Sequence, residues 1–184
     1  MAKSFFTDRF IDLKHGLVTV PKGPDILFSL VVFLLYMAVA VPIGFGFGFF
    51  TIGVLEANIW VMLALPVSLF FIPSLFEEVF FRGFLLPHKV RKIPAKPLFL
   101  SCLFSIAAFI AWHPLNAMTI NPLAYPLFTN PVFLCLAALL AIACTITYLK
   151  TGSLWVPIAL HWLTVLAWVF FLGGRNCFLD IARY

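Results

Sequence analysis

The sequence predicts an all-α, polytopic membrane protein, a transmembrane helix bundle of about five spans. Three observations carry that expectation. Apolar residues fill 64% of the 184 positions and charged residues only 10%, and the mean hydropathy of +1.11 is far above that of a water-soluble domain. The apolar residues gather into runs long enough to cross a hydrocarbon layer of roughly 30 Å. Between the runs lie prolines, glycines and basic clusters, which end helices and stay at the interface. A single integral membrane domain over residues 25–172 accounts for most of the chain, with a surface segment at 1–24 and a short tail at 173–184.

Residues 1–24 interleave Phe5, Phe6, Phe10, Ile11 and Leu13 with Lys3, Asp8, Arg9, Asp12 and Lys14. That pattern fits a short amphipathic helix on a membrane surface, with a solvated tail as the alternative. The first long apolar run begins near Asp25 and is long enough to span, so it reads as a helix rather than a cleavable signal peptide. The first span covers 26–50, and Pro42, Gly44, Gly46 and Gly48 interrupt its second half. The second covers 59–86, kinked at Pro66 and Pro73. A basic loop from His88 to Lys96 follows. The third covers 98–113, with Pro114 ending or kinking it. Residues 115–130 carry no charge and read as a loop, with a re-entrant course as the alternative. The fourth covers 132–149, and a tight turn at Lys150-Thr151-Gly152-Ser153 leads into the fifth, 154–172.

The basic residues orient this array. Lys3, Arg9, Lys14 and Lys22 precede span one, Lys89, Arg91, Lys92 and Lys96 separate spans two and three, and Lys150 separates spans four and five. The loops 51–58 and 115–130 on the other side have no Lys or Arg, and only Arg175 and Arg183 fall there. The positive-inside rule therefore expects a cytoplasmic N-terminus. The net charge of +5 reports topology rather than a polyanionic partner, and a nucleic acid is not expected. The four cysteines, Cys102, Cys135, Cys144 and Cys177, form no Cys-x-x-Cys pair and read as small apolar residues, not as a disulfide framework or zinc site.

One stretch breaks the rule that spans avoid charge: Glu77-Glu78-Val79-Phe80-Phe81-Arg82, inside span two. Ionisable groups in the hydrocarbon are expensive unless paired or facing a polar cavity, which makes them functional candidates. Glu78 and Arg82 are four residues apart, on nearly the same helix face, and can pair. Glu77 points about 100° away and is left to face something else. His113, His161 and Thr164 are the further polar groups in the spans. Counted from the cytoplasmic ends, Glu77, His161 and His113 lie roughly 15, 15 and 20 Å deep, so three helices can bring an acid and two imidazoles to one point.

In this set the chain resembles the CAAX-protease and bacteriocin-processing family of intramembrane proteases, also called Abi. The Glu-Glu-x-x-x-Arg motif of that family is matched by Glu77-Glu78-Val79-Phe80-Phe81-Arg82, followed by Gly83. Its Phe-x-x-x-His motif is matched by Phe109-Ile110-Ala111-Trp112-His113. Its third motif, His-x-x-x-Asn or His-x-x-x-Asp, is matched at His161, but the fourth position onward is Val165. The resemblance implies hydrolysis of a peptide bond in a membrane-associated peptide or protein, without a cofactor or metal. Glu77 and His113 would activate a water, and His161 with the residue at 165 would hold the oxyanion. Glu78, Arg82 and Thr164 would support the site. Valine has no side-chain donor, so Thr164, or Asn116 or Asn176 from a loop, would have to substitute, or the enzyme is slow. A catalytically inactive member that binds membrane peptides, as an immunity scaffold, is the alternative. Zinc held by two His and a Glu is less expected, since His-Glu-x-x-His is missing, and a transporter less still, since no internal repeat is visible. A bacterial cytoplasmic membrane and a peptide at or near its cytoplasmic half complete the expectation.

Overall fold

The computed structural model describes residues 5–174. Lys3, Arg175, Asn176, Cys177, Arg183 and the tail after Gly174 lie outside the described residues. The described residues form helices throughout: α1 (Phe5–Val18), α2 (Gly23–Gly46), α3 (Ile59–Leu69), α4 (Phe76–Glu78), α5 (Ala95–Thr119), α6 (Tyr125–Phe128), α7 (Pro131–Thr151) and α8 (Trp155–Phe171). Wide, π-type turns over Phe70–Leu75 and Val79–Phe84 flank α4 and join it into one path from Ile59 toward the basic loop. Four segments are long and apolar enough to span: Gly23–Gly46, Ile59–Arg91, Ala95–Thr119 and Pro131–Thr151. The fifth, α8, is apolar but has 17 residues, or roughly 25 Å of rise, at the short end of what crosses a bilayer.

The central post is α7, which packs against α2, α5 and α8. Its sequence explains why. Ala137, Ala141, Ala143 and Cys144 are small and buried, and small residues let helix backbones approach closely where no hydrophobic effect drives association. The outward faces of the surrounding helices carry exposed Leu, Val, Ile and Phe, the surface a lipid would contact. A proline helix start caps α7 at its N-terminus, where the Asn130 side chain accepts from Val132 and Phe133 N–H.

Span two breaks at Pro73, one of the two expected kinks, whereas Pro66 lies inside the continuous α3 because its neighbours keep helical geometry. Ile72 leaves helical geometry at φ −131°, ψ 114°. Pro73 has no N–H to offer the Leu69 carbonyl, and the Ser74 hydroxyl donates to that oxygen instead at 2.8 Å. The second wide turn is satisfied in the same way: the Ser105 hydroxyl donates to the Phe81 carbonyl at 2.6 Å. Pro114, by contrast, does not end its helix. The α5 helix runs through it to Thr119, six residues past the expected end, because neighbouring packing outweighs the one lost hydrogen bond. Within 115–130 the chain then forms short turns at Pro122–Ala124 and α6 rather than a featureless loop.

Of the two readings for residues 1–24, the helix holds. The α1 helix docks on the Val79–Phe84 turn at the basic-loop end. Asp12, fully buried, pairs with Arg9 at 3.2 Å and Arg91 at 2.5 Å, and Asp8 pairs with Arg91 at 3.2 Å. The polar face of α1 is thus turned to the protein, while Phe6 and Phe10 are 61% exposed. Behind it Leu86, Tyr148, Leu154 and Ile158 form a dense core that closes this end.

The turn between α7 and α8 has a strict requirement. Gly152 sits at φ +71°, and a Cβ there would lie 2.6 Å from Lys89 Cε and 2.9 Å from His88 Nε2. Its carbonyl accepts from His88 Nε2 at 2.9 Å, while Lys89 Nζ donates to the Thr151 carbonyl. Gly152→Ala is expected to destabilise the protein by about 1–2 kcal/mol through left-handed strain, with some further loss from the displaced Lys89. Thermal unfolding in detergent reads it; an unchanged midpoint would count against the assigned turn.

Candidate active site

The polar residues of the spans meet behind α4. Arg82 and Glu78, four residues apart, are both fully buried and pair at 3.0 Å through Arg82 Nη1 and Glu78 Oε1. The second guanidinium nitrogen, Nη2, donates to the Ala141 carbonyl at 3.1 Å, which a methyl side chain on α7 leaves reachable. The Phe109 ring lies 4.5 Å from Arg82 Cζ. The same Glu78 oxygen also accepts from His161 Nδ1–H at 2.9 Å. Glu78 therefore anchors the positions of both Arg82 and His161.

Glu77 takes the other direction. Its Oε1 accepts from the Trp112 indole N–H at 3.1 Å. Its Oε2 is buried, has no hydrogen-bond partner among the described residues, and lies 3.9 Å from His161 Nε2. A buried carboxylate oxygen left without a donor is a costly feature that packing alone does not explain. His113 is fixed differently. A carbonyl can only accept, so His113 donates Nδ1–H to the Phe109 carbonyl at 2.9 Å and its Nε2 stays available. Rings of Phe109, Phe128 and Phe133, at 5.0, 5.3 and 5.0 Å between centroids, hold the imidazole in place.

One cavity of about 300 Å³ sorts these groups. Glu77, His113, His161, Thr164 and Val165 line it, whereas Glu78 and Arg82 do not. The helix argument that separates the two acids by direction is thus matched by their surroundings. Thr164 lines the cavity, but its hydroxyl donates to the Leu160 carbonyl at 2.9 Å. Asn116 lines it too, from α5 rather than from a loop, because α5 continues past Pro114. Asn176 lies outside the described residues. Sequence reasoning did not single out Trp112 or Tyr36. Trp112 had a signal, an indole N–H in a span that must find an acceptor. Tyr36 had a weaker one, a lone phenol in an otherwise aliphatic stretch of α2.

The cavity also has a direction. Its walls come from Tyr36 to Phe50, from His113 to Asn121 and from His161 to Leu172, the halves of α2, α5 and α8 that point away from the basic loop. Exposed Ile72 and Asn121 mark its rim. The rim thus includes Asn121 at the end whose loops carry no Lys or Arg, while α1 and the Leu86–Tyr148–Leu154 core close the basic end.

An all-α bundle in the membrane, enclosing a carboxylate and two imidazoles in a cavity, defines an integral membrane protein with a buried polar site. A family model, type II CAAX prenyl endopeptidase Rce1-like, matches residues 28–167, and the chain belongs to this family of membrane proteases. The match contains all three motifs that carry the resemblance. No curated protein and no solved structure matches the chain.

Proposed function

We propose that the protein is an intramembrane endopeptidase of the glutamate type, acting on a membrane-associated peptide through water activated by Glu77 and His113. The observation that carries this reading is the cavity that gathers Glu77, His113 and His161 while leaving Glu78 and Arg82 outside. A general base needs an unclaimed lone pair beside the reacting water, and Glu77 Oε2 offers one. His113 Nε2, free because Nδ1–H is committed, orients the same water. In the first step the water oxygen bonds to the peptide carbonyl carbon, its proton passes to Glu77, and the carbonyl electron pair moves to oxygen. In the second step the C–N bond breaks, and the proton on Glu77 goes to the leaving amine. His161, held at Nδ1 by Glu78, faces the oxyanion through Nε2.

The family name supports a prenylated C-terminal peptide as one substrate class. The apolar lining, with Phe49, Phe50, Phe128 and Leu172, suits a long apolar chain or apolar side chains. The basic residues support a cytoplasmic N-terminus. In that orientation the cavity rim faces the extracytoplasmic half of the bilayer. Asn121→Cys in a cysteine-free background is then expected to react with a membrane-impermeant maleimide added outside intact cells, whereas labelling only after lysis would reverse the orientation. The function itself is tested by comparing peptide termini in membranes of cells bearing the natural protein and cells bearing Glu77→Gln. Termini that vanish in the variant identify a protease and its substrate. Identical sets would favour the peptide-binding scaffold.

A further inference from the structure

The two oxygens of Glu77 have different surroundings. Oε1 accepts from the Trp112 indole N–H at 3.1 Å, and Oε2 is buried with no hydrogen-bond partner among the described residues. The donor stands on α5, one residue before His113. Consecutive helix positions diverge by about 100°, so a single turn of α5 sends these two side chains in different directions. His113 lines the cavity, whereas Trp112 does not. The Trp112 ring is half-buried and packs against the cluster of Phe81, Phe109, Ala137 and Ala141. It therefore reaches Glu77 from behind the cavity wall. The last torsion of a glutamate is broad and soft, so burial by itself does not decide which oxygen faces the cavity. Among the described residues the indole bond is the one hydrogen bond to this side chain, and the nearest charge partner, His161 Nε2, stands 3.9 Å from Oε2.

We propose that Trp112 is a positioning residue for Glu77: its N–H holds Oε1 on the outer side and so makes Oε2 the oxygen that takes the water's proton. The inference rests on the protease reading. An indole N–H can only donate, so Oε1 remains an acceptor throughout. When the attacking water gives up its proton, the new O–H bond forms on Oε2. Oε1 becomes the carbonyl oxygen of the neutral carboxyl and keeps its bond to the indole. When the C–N bond breaks, that proton passes from Oε2 to the leaving amine and the carboxylate is restored. Trp112 neither gains nor loses a proton and touches no substrate.

Two measurements test this, and both use a replacement of Trp112 by benzothienylalanine, introduced at a reassigned stop codon. That side chain keeps the shape of the indole and carries sulfur in place of the N–H. The first measurement reads the bond. Proton–nitrogen spectra of the protein in detergent, with the indole nitrogens isotope-labelled, assign the Trp112 signal by its loss in the benzothienylalanine variant. In Glu77→Gln this signal is expected to move upfield, because an amide oxygen is a weaker acceptor than a carboxylate. A signal that Glu77→Gln leaves in place overturns the proposal. The second reads the role. The appearance of Glu77-dependent termini is timed in membranes of cells expressing the natural protein, Trp112→Phe or the benzothienylalanine variant, at matched protein level. Both replacements are expected to slow it by about 10–10²-fold, the second with its unfolding midpoint in detergent little changed. A natural rate in the benzothienylalanine variant means that the ring only packs, and overturns the proposal whatever Trp112→Phe does. If Trp112→Phe fails to fold, the shape-preserving variant decides alone. Termini that survive Glu77→Gln remove the protease reading and this role with it, while the indole signal still reports whether the bond exists.

Discussion

Glu77→Gln is expected to lower turnover by at least about 10²–10⁴-fold while leaving the bundle assembled. The amide keeps the size of the carboxylate and can still accept the Trp112 indole N–H through its oxygen. On the proposed mechanism it loses the lone pair that would take the water's proton at Oε2, which lies 3.9 Å from His161 Nε2. Because Glu77 lines the cavity rather than the Arg82 pair, little stability should depend on its charge. The measurement is the set of membrane peptide termini at equal expression, with detergent unfolding alongside. Full activity in this variant would remove Glu77 from the chemistry, whatever the fold of the protein.

The opposite pattern is expected one residue and one turn away. Arg82→Ala should destabilise the protein by about 3–5 kcal/mol, because it strands the fully buried Glu78 carboxylate with His161 as its remaining partner. The guanidinium also supplies the bond to the Ala141 carbonyl that ties the broken span to α7. Unfolding in detergent should shift strongly, and expression in membranes should fall with it. The double replacement Glu78→Gln with Arg82→Met removes both charges at similar volume and should recover much of the loss, since paired buried ions add little net stability. If Arg82→Ala unfolds like the natural protein, the pair is not the anchor that its geometry implies.

The two acids of one motif differ in their surroundings, Glu78 paired with Arg82 and Glu77 on the cavity wall. That separation was legible in the sequence, because helix periodicity turns Glu78 toward Arg82 and Glu77 away. The helical class, the membrane spans and the family were legible for a similar reason. Apolar runs, proline positions and the motif spacing around Glu77, His113 and His161 are local, and the bilayer forces every backbone bond to be satisfied within a helix. Tertiary contact decided the rest. Pro114 reads as a helix end or a kink, and α5 continues through it to Thr119, where its far turns pack on α6 and the Pro122–Ala124 turn, which carries Asn116 to the cavity wall. The hydrogen bond of His161 to Glu78 and the indole of Trp112 on Glu77 join residues 83 and 35 positions apart. No local pattern encodes such meetings. The docking of α1 at the basic end depended, in the same way, on Asp12 pairing with Arg91, 79 positions away.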